Sequence, residues 1–112
     1  DSAARFAETW GEEMGSSAQV MTTSRHFVEC FSAGAGKGAG LRRVADILGV
    51  DIADTIAVGD EMNDRSMIEA AGLGVAVANA RPEVIALASY VTAANDDDGV
   101  RRLIEKFCPE VI

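Results

Sequence analysis

Two hydrophobic rhythms alternate along this chain, one of three to four residues and one of unbroken apolar runs. Residues 2–14 carry Phe6, Ala7 and Trp10 on one stripe, which predicts a weakly amphipathic helix stopped near Gly11 or Gly15. Gln19–Thr22 and His26–Phe31 are short, rich in strand formers and a hairpin's distance apart, so two antiparallel strands are expected. Between Ser32 and Gly40 every second residue from Gly34 on is glycine, a shift in composition that marks a boundary. Beyond it the pattern becomes regular. Leu41, Val44, Ala45 and Leu48 predict a helix over Gly38–Leu48, with Gly49 just past its end. Thr55–Val58 is a continuous apolar run, expected of a strand buried on both faces. Met67, Ile68 and Ala71 predict a short helix closed by Gly72, and Gly74–Ala78 a second buried strand. Pro82 opens a helix carrying Val84, Ile85, Leu87 and Ala88, and Tyr90–Thr92 is a third strand. The run Asn95–Asp98 reads as a cap for a last helix, whose stripe is Val100, Leu103, Ile104 and Phe107. Alternation of helix and strand from residue 37 onward predicts an α/β chain with a Rossmann-like parallel sheet flanked by helices.

Composition narrows the partners. At 112 residues the chain holds one domain's worth of core. Hydrophobic residues are 48% and charged residues 25%, which excludes a disordered chain. Eighteen acids against ten bases give a net charge of −8, so neither nucleic acid nor an anionic membrane is an expected partner. No apolar run approaches the ~20 residues of a membrane span. Cys30 and Cys108 are too few and too far apart for a disulfide framework or a zinc site, and read as two buried thiols in a reducing, cytoplasmic setting. His26 has no acid or nucleophile beside it and reads as a surface or capping residue. Met62 and Met67 are expected as fillers of the core, and Phe6 and Trp10 as packing residues.

Chemistry concentrates at one strand end. Ligands of open parallel sheets bind beyond the carboxyl ends of the strands, and there this chain has Gly59-Asp60-Glu61-Met62-Asn63-Asp64. Three acids and an amide so close together offer the hard oxygen donors that Mg²⁺ prefers. The alternative is that Asp60 caps the following helix and the other acids are solvated. Lys37 stands at a predicted helix start, where the macrodipole disfavours a cation unless an anion also binds. The surrounding glycines do not form a Walker loop, since Gly38 follows the lysine where Ser or Thr is required.

The order Lys37-Gly38, then Ile56-Ala57-Val58-Gly59-Asp60-Glu61-Met62-Asn63-Asp64, then Ala71-Gly72-Leu73-Gly74-Val75-Ala76-Val77-Ala78-Asn79-Ala80, then Asn95-Asp96-Asp97-Asp98-Gly99-Val100 resembles the C-terminal part of haloacid-dehalogenase superfamily phosphatases. The likeness is to the Cof-type (subfamily IIB) sugar-phosphatase branch, and covers about residues 26–107. It implies a role for each matching position. Lys37 would steady the substrate phosphoryl group, Asp60 would bind Mg²⁺ with help from Glu61 through water, Asn63 would donate to the phosphate, and Asp64 would orient Lys37. It also implies that residues 1–32 are the C-terminal remnant of an α+β cap and 33–112 the C-terminal half of the core.

The family's nucleophile sits in an Asp-x-Asp motif ahead of the cap, and no stretch here resembles it. Asp96-Asp97-Asp98 reads as a helix cap. The sequence is therefore expected to be the C-terminal portion of a phosphatase of small phosphorylated metabolites, inactive by itself and acting in the whole protein through a phospho-aspartyl intermediate. The other readings are a non-catalytic binding or regulatory fragment that keeps a Mg²⁺–phosphate half-site, and an unrelated receiver-like α/β module. In the family's sheet a further strand lies beside Thr55–Val58, so an open edge and self-association or pairing with a preceding segment are expected.

Overall fold

The structure, a computed structural model, describes residues 2–111. Helix α1 (Ser2–Met14) leads into strands β1 (Ala18–Ser24) and β2 (Phe27–Ser32), an antiparallel pair whose register shifts between Thr22 and Ser24. Helix α2 (Lys37–Leu48) follows, then strand β3 (Ile56–Gly59), helix α3 (Arg65–Ala70), strand β4 (Leu73–Val77), helix α4 (Pro82–Leu87), strand β5 (Tyr90–Thr92) and helix α5 (Gly99–Phe107). Strands β3, β4 and β5 form a parallel sheet in that order, with Ile56 beside Leu73 and Val75 beside Tyr90. Short 3-10 turns at Ile52–Asp54, Met62–Asp64, Asn95–Asp97 and Pro109–Val111 were invisible in the apolar pattern, because each holds a single turn.

The core lies between β4 and helices α3 and α4. Ile68, Ala76, Val77, Ala80 and Val84 are buried together, and Val58, Met62, Ile85, Leu87 and Ala88 pack around them. Gly74–Val77 is buried throughout, as an inner strand of a parallel sheet must be. Strand β3 departs from expectation. Only Ala57 is fully buried and Ile56 is exposed, because among the described residues β3 has one neighbouring strand and its other edge is open. Helix α2 keeps only part of its expected stripe inside, Ala45 and half-buried Leu41. Gly38 and Ala45 form the buried face, and Val44, Ile47 and Leu48 stand 52%, 68% and 69% exposed. Small residues let α2 lie close on α3, and that choice of face leaves the larger apolar side chains uncovered.

Three further expectations change. Phe6 and Trp10 lie 6.0 Å apart, ring centre to ring centre, yet are 54% and 47% exposed, so about half of each stays in solvent. Cys30 is exposed rather than buried, on the two-stranded ribbon of β1 and β2, and Cys108 is half-buried. Asp98 does not cap α5 with its side chain. It takes a left-handed conformation at the helix start, and the loop is held by Arg102 on Asp97 and by the Asn95 N–H donating to Asn79 Oδ1.

Candidate active site

Parallel strands bring their carboxyl ends to one rim. Two hydrogen bonds lace that rim together: the Arg81 N–H donates to the carbonyl of Asp60, and the Asn95 N–H to Asn79. Asp60 is exposed at the tip of β3, where a ligand above the sheet would meet it.

Asp64 organises the loop. Its side chain is only 7% exposed. One carboxylate oxygen, Oδ2, accepts from the Asp60 and Glu61 backbone N–H groups at 2.9 and 3.2 Å. The other, Oδ1, accepts from the Lys37 ammonium at 2.5 Å. A single carboxylate thus ties the start of α2 to the loop after β3. Gly59 is a condition of this geometry, since a Cβ there would fall inside the Asp64 side chain. The cap considered for Asp60 falls to Glu61, the N-cap of the turn Met62–Asp64, in a capping box with Asp64.

Burial alone would raise the Asp64 carboxyl above its ordinary value of 3.8; the Lys37 ammonium and the two backbone N–H donors outweigh that and hold it below. A carboxyl depressed in the folded state stabilises the fold fully above the unfolded value, and the contribution disappears as pH falls through the folded value. We therefore expect Asp64→Asn to flatten the loss of stability as pH falls from 4 downward, in denaturant unfolding followed across that range. An acid limb of the same steepness in both proteins would assign the titration elsewhere.

Lys37 is the first residue of α2, as expected, but not every N–H group of that helix start is free for an anion. The Gly38 N–H donates to Ser66 Oγ at 2.9 Å, so α2 is capped by a side chain of α3 rather than by its own loop. Ser66 escaped the sequence reading, because no local pattern links a serine to a helix start 28 positions earlier. Asn63 points its amide to the hairpin, where Nδ2 donates to Glu29 Oε2 at 3.4 Å. Glu61 Oε2 is buried without a hydrogen-bond partner, 3.8 Å from an Arg81 guanidinium nitrogen.

Mg²⁺ takes octahedral oxygen ligands, commonly one or two carboxylates with water and substrate phosphate. Among the described residues no cluster of three His, Cys, Asp or Glu side chains could hold a metal ion. Asp60 and Glu61 Oε2, which no hydrogen bond holds, fit part of such a shell and not the whole of it.

The sequence pattern of the haloacid dehalogenase-like hydrolases matches residues 1–104. The chain belongs to this family. Among its haloacid dehalogenase-like relatives, "Phosphatase YwpJ" of Bacillus subtilis is 42% identical over 86 residues, covering 77% of this chain and 30% of the relative. A haloacid dehalogenase-like hydrolase of B. subtilis superposes with a TM-score of 0.85 at 35% identity, over 92% of this chain and 37% of that one. The subclass IIB sugar phosphatase BT4131 superposes at 0.80 with 30% identity, over 89% of this chain and 39% of that one. The chain thus spans between 30% and 39% of the length of these proteins. The resemblance to the Cof-type branch and the α/β assignment both hold. No helix among the described residues is long and apolar enough to cross a membrane.

Proposed function

We propose that the protein containing this chain is a Mg²⁺-dependent phosphatase of small phosphorylated metabolites, sugar phosphates foremost. In this reading it is cytoplasmic, and it works through a phospho-aspartyl intermediate whose nucleophile lies in a preceding segment. One observation carries the reading: the buried Asp64 carboxylate fixes a cationic side chain and the tip of β3 at the same rim. Phosphoryl transfer asks for charge compensation and positioning more than for covalent chemistry from the protein. Lys37 supplies the charge, held by Asp64 so that it need not reorganise as negative charge builds on the phosphoryl oxygens. Asn63 Nδ2 has a second N–H to donate to the phosphate. Asp60 would be the metal's carboxylate ligand from this chain, with Glu61 behind it. Bound Mg²⁺ supplies Lewis-acid neutralisation of the phosphoryl oxygens.

In the same reading residues 1–32 belong to a cap and 33–112 to the core. The preceding segment pairs with the open edge of β3 and covers Val44, Ile47 and Leu48 of α2, surfaces that favour association. Phosphate release from a hexose 6-phosphate tests the reading. The present chain is expected to release none, and the protein extended by its preceding segment to turn over in a metal-dependent way that EDTA abolishes. No release by the extended protein, or release indifferent to metal, overturns it.

A further inference from the structure

The hairpin touches the site loop through a carboxylate. Glu29 and Phe31 alternate with Cys30 along β2, and Glu29 lies opposite Met21 of β1 in the register. Met21 and Phe31 line a cavity of about 330 Å³ together with Met62, Asn63 and Ser66, so this face of the hairpin meets the turn after β3. Glu29 reaches Asn63 there, and it pairs with no cation among the described residues. A negative charge without a counter-ion is thus placed at the amide assigned to the phosphoryl group. An ionised carboxylate only accepts hydrogen bonds. It is complemented by hydroxyl donors, and it repels a second anionic group on the same substrate.

We propose that Glu29 is a specificity-determining residue, selecting phosphate esters whose leaving group carries neutral hydroxyls against those whose leaving group carries a carboxylate. This rests on the phosphatase reading above and goes beyond it by naming the side chain and the chemistry it selects. When the phosphoryl group engages Asn63, Glu29 turns its acceptor oxygens to the hydroxyls of the leaving group. Discrimination then comes from attraction and repulsion together. Because Glu29 is exposed, solvent and salt screen the repulsion, and effects of about tenfold are expected rather than thousands.

The test compares the extended protein with its Glu29→Gln and Glu29→Ala variants on a hexose 6-phosphate, on 2-phosphoglycolate and on p-nitrophenyl phosphate. We expect kcat/KM for the hexose phosphate to fall about tenfold in Glu29→Ala, mainly through KM. That for 2-phosphoglycolate should rise several-fold in Glu29→Gln, and p-nitrophenyl phosphate should change least. An equal loss on all three substrates would mean that Glu29 only supports Asn63, and unchanged ratios would mean that it faces no substrate; either overturns the proposal. A wild-type extended protein inactive on every ester would instead defeat the phosphatase reading itself.

Discussion

With Asp64 replaced by Ala, phosphate-ester hydrolysis by the extended protein falls by about a hundred- to a thousandfold, the usual loss when a preorganised donor leaves a charge-stabilising site. The substitution removes no group that touches the substrate. It frees Lys37 from its anchor and leaves the Asp60 and Glu61 N–H groups without their acceptor. Stability falls as well, by about 3 kcal/mol, the range for stripping a buried carboxylate from charge-assisted hydrogen bonds. Lys37 is half exposed, so the ion pair itself contributes the smaller share, and most of the cost comes from the two backbone donors. Asp64→Asn acts in the same direction, because an amide cannot present acceptors to all three donors at once. Turnover and urea melts read the two effects separately. An Asp64→Ala protein that keeps wild-type kcat would show that Lys37 needs no anchor.

The second large effect comes from a methyl group. Gly38 lies where α2 crosses α3, and a Cβ there would stand 2.6 Å from the Ser66 carbonyl oxygen and 2.9 Å from Ser66 Cβ. Backbone cannot swing aside as a side-chain tip can. Gly38→Ala should therefore push the helices apart at a cost of about 1–3 kcal/mol. The adjacent Lys37 moves with the helix, and a shift of that kind near a reacting centre costs about a hundredfold in rate. Gly40 supplies the control. It sits two residues on in the same helix with nothing within 4 Å of an added Cβ, so Gly40→Ala should stabilise by up to about 1 kcal/mol. Opposite signs in thermal melts are the expected result, and equal signs would remove the close crossing as the cause.

Much of this was readable in advance, for identifiable reasons. Strand β4 follows from a run of apolar residues with no polar side chain to place, and α4 from proline at its first position. That Lys37 and the acids after β3 each need an electrostatic explanation was legible from their positions, whereas the pairing of Lys37 with Asp64 was expected only through the family resemblance. What failed depends on contacts between segments distant in sequence. The buried face of α2 was half foreseen: Ala45 of the expected stripe is buried and Leu41 half-buried, but Val44 and Leu48 are exposed, because the packing on α3 selects the smallest residues. Ser66 capping Gly38, and Glu29 meeting Asn63, link positions 28 and 34 apart, and no local pattern records them. Burial of Thr55–Val58 was overestimated because an apolar run records what a strand tolerates, not which neighbours it has.

The four consecutive residues from Asn63 to Ser66 hold three attachments: Asn63 to the hairpin, Asp64 to the head of α2, and Ser66 to the Gly38 N–H. A helical turn rotates each successive side chain by about 100°. One residue inserted or lost in this stretch would swing every later side chain away from its target, disconnecting lysine, helix start and hairpin in a single event. A change in the length of this joint is therefore expected to cost the site far more than the exchange of any one side chain around it.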